Sequence, residues 1–165
     1  MPKNDSRIEA YGTIDELMAF TAYLMDNMDG KVMLEGYRDD LHEILDHLMR
    51  LCTLTAADEQ AAAKLPEISQ DHVSFLEQRI DDMQSTLPAI DKFTLPGGHP
   101  LVSLTHICRT VCRRAERAVL TAMEKNIIDE RVICYINRLS DYFYILGRKI
   151  SYEFNVKELY WVFDK

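Results

Sequence analysis

The chain has 165 residues, which is enough for one domain with a sizeable buried core. Its composition, 47% hydrophobic and 28% charged with six glycines and five prolines, is typical of a globular protein and excludes disordered and collagen-like chains. The net charge of −8 argues against a surface built to bind nucleic acid or an anionic membrane.

The sequence also lacks the features of membrane-spanning and secreted proteins. No run approaches the roughly 18 to 20 apolar residues of a membrane-spanning helix, and the first seven residues lack the apolar core of a secretion signal. The cysteines show no C-x-x-C spacing, so we expect reduced thiols and a cytoplasmic protein. They are Cys52, Cys108, Cys112 and Cys134.

Apolar residues recur at helical spacing along most of the chain. The spacing predicts a first helix over 7–28, ended by Asp29 and Gly30, and a second over 32–57. Ser69 resembles the N-cap of a third helix that Pro88 ends, and two long helices follow over about 101–125 and 130–154. Because most connections are short, we predict an all-α, up-and-down five-helix bundle forming a single domain over 1–165.

Two connections stand out from this helical pattern. The segment 58–66 reads as a connection, although its alanines could extend the second helix. The segment 93–100 packs two prolines and two glycines into eight residues, which predicts a loop of defined shape.

Four arginines and one glutamate fall within nine residues of the fourth long helix, between Arg109 and Arg117. Arg109, Arg113 and Arg117 share one stripe of this helix with Glu116, while the opposite side keeps small apolar residues for packing. Arginine binds phosphate oxygens in a forked geometry, so the stripe indicates an anion site. The alternative is a solvated face or a set of interface salt bridges.

The last helix carries a second polar stripe. Asn137, Arg138, Asp141 and Tyr144 share a face, and the Asn137 amide can both donate and accept, which suits a ribose or a base. A surface polar patch would look the same. On the first helix, Asp15 and Glu16 are candidate counter-ions for the arginines, or ordinary surface carboxylates.

The spacing of the histidines argues against a protein-ligated metal. A di-iron bundle requires a Glu-x-x-His motif on two helices and two further carboxylates. The chain offers one Asp39-x-x-His42 pair, and its other histidines lack metal-ligand spacing. We therefore expect no metal site made by side chains.

Three segments together resemble the ATP:cob(I)alamin adenosyltransferases of the propanediol-utilisation type. They are residues 3–17, residues 93–100 with the helix through Arg117, and residues 136–142. They occur in the order of that family and span nearly the whole chain, which favours the anion-site interpretation of the arginines.

The resemblance implies a homotrimeric five-helix bundle with each active site between neighbouring subunits. The implied reaction transfers the 5′-deoxyadenosyl group of ATP to the cobalt of reduced cobalamin or a related corrinoid, with Mg²⁺ on the phosphates. Carried over by position, the residues that surround ATP are Lys3, Arg113, Arg114, Glu116, Arg117 and Asn137. Arg109 pairs with Asp15 across the interface, and Phe93 lies under the corrin ring and displaces its lower ligand. The implied protein partners are a flavoprotein reductase and an adenosylcobalamin-dependent enzyme.

The sequence departs from the family pattern at two places. A phosphate-binding segment of the form T-x-x-G-D-x-G-x-T precedes the first matched segment in the family, and the given sequence does not contain it. We expect either a truncated or mis-started version of such a protein or a naturally shortened relative. Met18 stands where the family has asparagine. These departures leave two further hypotheses: a catalytically impaired protein that binds or delivers corrinoid, and a purely structural helical assembly protein.

Overall fold

The computed structural model describes residues 3, 5–90 and 92–163 and is mostly helical. The long helices are α1 (Ser6–Asp26), α2 (Glu35–Ala56), α4 (Gln70–Gln84), α5 (Pro100–Met123) and α6 (Glu130–Glu153). A four-residue helix α3 (Glu59–Ala62) lies between α2 and α4, and a 3-10 turn (Val32–Leu34) precedes α2. Strands β1 (Thr94–Leu95) and β2 (Leu159–Tyr160) pair antiparallel.

The five long helices follow the sequence prediction, with two corrections. The third predicted helix does not continue to Pro88, because its last turn closes earlier: the backbone N–H of Ser85 bonds to Asp81 and that of Thr86 bonds to Met83. The predicted connection after α2 contains the short helix α3, which Asp58 caps by accepting from the N–H of Ala61 at 2.8 Å. Ser69 is the N-cap of α4, as predicted.

The helices pack as neighbours in the order α2, α1, α5, α6, α4. Each buries one apolar stripe, and together these stripes form one continuous core that includes Ile14, Leu48, Val119 and Leu146. Because α5 and α6 are central and antiparallel, the polar stripes predicted on both helices lie side by side on the outside of the bundle.

A buried polar cluster lies inside the bundle between α2, α4 and α6. His47 Nδ1 lies 2.8 Å from the hydroxyl of Tyr135, and the His72 ring packs edge-on at a centroid distance of 4.5 Å. Burial, with a smaller contribution from His72, lowers the pKa of His47. His47 is therefore a neutral imidazole at pH 7.

No helix of the described ranges is long and apolar enough to cross a membrane.

Candidate functional site

The helices α5 and α6 are in direct contact at a glycine of α6. A Cβ atom added at Gly147 would lie 2.5 Å from Thr105 Oγ1, so the two helices touch there with no side chain between them. Two turns further along α5, Cys112 Sγ donates to the carbonyl of Ile136 at 3.2 Å. The contact fixes the antiparallel register of the two helices, and with it the pairs of side chains that face each other outside the core.

This register places the two predicted polar stripes along one groove. Arg109 lies opposite Tyr144, Arg113 opposite Ser140 and Asp141, and Glu116 opposite Asn137. The first part of the groove is a cleft of about 330 Å³, which the loop before β1 closes at one end. Its lining residues are Lys92, Phe93, Thr94, His106, Arg109, Arg113, Ser140, Asp141 and Tyr144. A second depression of about 440 Å³ continues past Glu116 and Asn137 to Cys134.

The cleft carries positive charge that its own carboxylates do not neutralise. Within the ranges that the structure describes, no carboxylate forms an ion pair with Arg109, Arg113 or Arg117. The nearby carboxylate of Asp141 pairs with Arg138 at 3.1 Å. Burial and the charge of Arg113 lower the pKa of Arg109, which is the expected effect of two like charges one helical turn apart. An anionic ligand would relieve this repulsion.

Hydrogen bonds fix the orientation of the Asn137 amide. Its Nδ2 donates to Glu116 Oε1 at 3.1 Å, and its Oδ1 accepts from Arg138 Nη2 at 2.6 Å. The sequence predicted that these groups share helix faces. The structure adds that the carboxylate of α5 and the amide of α6 are bonded to each other, so they form one polar surface.

Phe93 lies at the other end of the cleft, on a support made from two distant segments. Trp161 donates its backbone N–H to the carbonyl of Phe93 at 2.9 Å, and the two rings lie 6.3 Å apart. The Phe93 ring is nevertheless 73% exposed. With Trp161 and Phe163 it forms an open aromatic surface, here called the aromatic shelf, next to the arginines.

The glycine loop and the two contacts of one buried arginine hold the shelf in place. Gly97 and Gly98 adopt positive φ values of 114° and 95°, and a Cβ at Gly98 would lie 3.3 Å from Val156. Arg148 bonds to Glu158 at 3.1 Å and to the carbonyl of Pro88 at 2.9 Å. The predicted loop of defined shape therefore has that shape because the chain after α6 packs on it.

Three predicted site residues lie outside this groove within one chain. Arg114 faces α1 and forms an ion pair with Glu16, so one of the two candidate counter-ions does meet an arginine. Asp15 is exposed on α1 and makes no ion pair among the described residues. Lys3 precedes α1, which begins beside the α5–α6 turn where Asn126 Nδ2 donates to Ser6 Oγ at 3.5 Å. That turn lies about 15 Å beyond Arg113 along α5.

Sequence reasoning missed several residues of the site. His106 accepts a hydrogen bond from Arg109 Nε at 3.4 Å, and its position three residues before Arg109 is the signal that could have identified it. Lys92 lines the cleft beside Phe93. Trp161 belongs to an apolar run after α6 that had no predicted element. No group of three or more His, Cys, Asp or Glu side chains suitable for a metal occurs in the described part of the chain.

The fold and the groove define a helical-bundle protein with a cationic groove next to an aromatic surface. The family model for cobalamin adenosyltransferase matches residues 1–150. The corrinoid adenosyltransferase of Bacillus subtilis is 39% identical over 153 residues, covering 90% of this chain and 76% of that protein. The human corrinoid adenosyltransferase MMAB is 33% identical over 158 residues, and the match covers 60% of its length. This chain belongs to the cobalamin adenosyltransferase family.

Solved structures of the same family share the fold. A variant of the PduO-type adenosyltransferase from Lactobacillus reuteri, complexed with ATP, has a TM-score of 0.91 and 31% identity, and the match covers 98% of this chain and 90% of that one. A second variant of that protein, complexed with cobalamin and ATP, has a TM-score of 0.90 and 32% identity, and the match covers 98% and 88% of the two chains.

Proposed function

We propose that this chain transfers the 5′-deoxyadenosyl group of ATP to the cobalt of reduced cob(I)alamin or a related corrinoid, and releases triphosphate. One observation carries the proposal. The cleft between α5 and α6 places Arg109 and Arg113, without carboxylate partners among the described residues, beside the exposed ring of Phe93. A triphosphate and an apolar macrocycle would therefore meet in one site, as the ligands of the solved relative suggest.

The reaction needs charge stabilisation and alignment more than acid–base chemistry. The cobalt(I) of the substrate supplies an electron pair to C5′ of the ribose; the cobalt–carbon bond forms as the C5′–oxygen bond breaks, and triphosphate leaves with the electrons of that bond. Cobalt(I) is already a strong nucleophile, so no side chain has to deprotonate it. The protein has to hold cobalt in line with C5′ and stabilise the charge that grows on the triphosphate.

The cationic groove suits the triphosphate. We assign Arg113 and Arg117 to phosphate binding, because both extend from the exposed face of α5 and have no carboxylate partner in the described ranges. The bonded pair of Glu116 and Asn137 supplies an acceptor and an amide for the nucleoside end of ATP. Lys3 and Arg114 complete the set at the edge that faces α1.

The aromatic shelf suits the corrinoid. Phe93 offers an exposed apolar face. Trp161 and the glycine loop hold the backbone of Phe93 in position. A ring packed under the corrin would exclude the lower axial ligand and leave four-coordinate cobalt, which is easier to reduce to cobalt(I). A flavoprotein reductase would supply the electron, and an adenosylcobalamin-dependent enzyme would receive the product.

A homotrimer would complete the site. Asp15 on α1 and Arg109 on α5 are not paired with each other within the chain, so both are available for a pair between subunits. Exposed apolar side chains on the same two helices, Tyr23, Ile107 and Leu120, support an interface there. In such a trimer Lys3 of one subunit could reach the arginines of its neighbour, which it does not reach within one chain.

The residues present are compatible with Mg²⁺ bound through the substrate. The described chain offers no cluster of three or more metal-ligating side chains, so the triphosphate oxygens and water would hold the ion, as is usual for magnesium–nucleotide complexes. When bound, Mg²⁺ neutralises part of the phosphate charge. All four cysteines are free thiols, which supports a cytoplasmic location.

The test is adenosylation itself. The protein is incubated with ATP, Mg²⁺ and chemically reduced cobalamin, and the product is detected as light-sensitive adenosylcobalamin. Tight cobalamin binding without ATP-dependent product would overturn the proposal and favour a delivery protein. Absence of binding to both ligands would favour a structural assembly protein.

A further inference from the structure

His106 lies at the base of the cleft, between the arginines and the seam of α5 and α6. It is half-buried on α5, one turn before Arg109. A Cβ atom at Gly147 would lie 3.9 Å from its Nε2, so the ring rests against α6 at the one place where that helix carries no side chain to displace it. This packing orients Nδ1 toward Arg109, whose Nε is 3.4 Å away.

Arg109 has nothing else in the described chain to hold its head group. It makes no ion pair there, and Arg113 repels it from one turn along the helix. A long cationic side chain in this position would turn toward water and lose its orientation. The bond from Nε uses the one donor on the stem side of the guanidinium and leaves both terminal nitrogens free for a ligand or a neighbouring subunit.

The bond requires a neutral imidazole, because an arginine can only donate. Burial, and then the charge of Arg109, lower the pKa of His106, so the ring is an acceptor at pH 7. Charged and titratable groups face it from every element around the cleft. They are Lys92 before β1, Arg109 and Arg113 on α5, Asp141, Tyr144 and Arg148 on α6, and Glu158 next to β2.

We infer that His106 is a positioning residue of the site: its Nδ1 holds the Arg109 guanidinium so that the terminal nitrogens face the cleft. The inference rests on the proposed function, because in the proposed site one terminal nitrogen of Arg109 would pair with Asp15 of a neighbouring subunit and the other would face the triphosphate of ATP. It assigns to His106 no contact with the reacting atoms.

Two substitutions distinguish the hydrogen-bond acceptor of His106 from the packing of its ring. His106→Asn places an amide oxygen near the position of Nδ1, whereas His106→Phe keeps a ring and removes the acceptor. His42→Phe is the control, because His42 is exposed on α2 and makes no hydrogen bond in the described ranges. We expect the KM for ATP to rise about tenfold in His106→Phe, which corresponds to about 1.4 kcal/mol, within the range for a hydrogen bond to a charged group.

The remaining kinetic constants test the assignment. The KM for corrinoid should change less than twofold in all variants, and His106→Asn should stay within about threefold of the parent in its KM for ATP. Equal impairment of His106→Asn and His106→Phe would overturn the inference. So would a loss of kcat at unchanged KM for ATP, which is the signature of a smaller folded fraction, or a selective change in the KM for corrinoid.

A measurement without substrates separates this inference from the proposed function. In ¹⁵N-labelled protein, the Nε–H signal of Arg109, assigned by its loss in Arg109→Lys, should exchange slowly with water in the parent and in His106→Asn, and rapidly in His106→Phe. Equal exchange in the parent and His106→Phe overturns the positioning role even if the enzyme is active. A parent protein that makes no adenosylcobalamin but shows the protected signal overturns only the proposed function.

Discussion

Replacing Gly147 with alanine tests whether the α5–α6 contact sets the geometry of the site. The added Cβ would lie 2.5 Å from Thr105 Oγ1, whereas ordinary contacts of a Cβ begin near 3.4 Å. Either the threonine or the helix must therefore move by about 0.9 Å. Thr105 is fully buried, and its hydroxyl donates to the carbonyl of Val102 at 2.6 Å, so the side chain cannot rotate away without losing that bond.

The expected free-energy change follows from two opposing effects. Overpacking a core by one methyl group costs about 1 to 3 kcal/mol, and the upper part of this range applies because the contacted atom is buried and bonded. Alanine in a helix interior recovers about 1 kcal/mol relative to glycine. We expect Gly147→Ala to lower the free energy of unfolding by about 2 kcal/mol.

Urea unfolding at a fixed protein concentration, followed by circular dichroism, measures this change. The double variant Thr105→Ala/Gly147→Ala is the decisive comparison, because without Oγ1 the new methyl group has room. In the Thr105→Ala background, Gly147→Ala should cost less than about 0.5 kcal/mol, a coupling of at least about 1.5 kcal/mol. Gly36→Ala is the control, since a Cβ there meets nothing within 4 Å. Additive effects, or a Gly147→Ala variant as stable as the parent, would refute the reasoning.

Three further predictions concern charge, shape and pH. Arg113→Ala should raise the Kd for ATP, measured by calorimetry, about 10- to 100-fold, because it removes charge-assisted bonds to phosphate. The control Arg131→Ala breaks only a surface pair with Asp129 and should leave the Kd unchanged. Equal ATP affinities of the two variants would contradict the phosphate role of Arg113. Phe93→Ala should slow corrinoid adenosylation at least about tenfold and leave the affinity for ATP unchanged. Ile127→Ala is the control, because Ile127 is 74% exposed, close to the 73% of Phe93, and its loss should have no effect. A loss of ATP affinity in Phe93→Ala would contradict its corrinoid role. Because the pKa of His47 is lowered by folding, the imidazole binds a proton at higher pH in the unfolded chain than in the folded one. The free energy of unfolding should therefore be constant above about pH 6.5 and fall toward lower pH by up to about 1.4 kcal/mol per pH unit. Urea titrations should show a shallower fall in His47→Asn, and an equal pH dependence in the two proteins would exclude His47 as the cause.

The helical faces could be predicted because local spacing determines them. Side chains three and four residues apart share a face in any α-helix, which is why Arg109, Arg113 and Glu116 were correctly placed in one row. The same rule shows why Arg114 is different: one residue further along, the helix turns by about 100°, and the side chain meets Glu16 of α1 instead. Within one chain Arg114 therefore points to α1, and the contact with ATP proposed for it would be made at that edge of the site.

The aromatic shelf could not be predicted, because its parts are far apart in sequence. The pairing of Thr94–Leu95 with Leu159–Tyr160 involves two residues on each side and produces no alternating pattern. The register of α5 against α6 is equally invisible in a single sequence, since it depends on the contact between Gly147 and Thr105. Each polar stripe was predicted from the sequence, but the cleft between them could not be, because it depends on how α5 and α6 are positioned against each other.

A binding surface built along two helices responds to insertions differently from one built on loops. Adding one residue between Arg109 and Arg113 would rotate every later side chain of α5 by about 100° and shift it by about 1.5 Å, which would move Glu116 away from Asn137. Adding a residue in the connection between α3 and α4 would leave the register of α5 against α6 unchanged. Length variation compatible with the groove should therefore be confined to the connections, and the interval from Arg109 to Arg117 should have a fixed length in every functional relative.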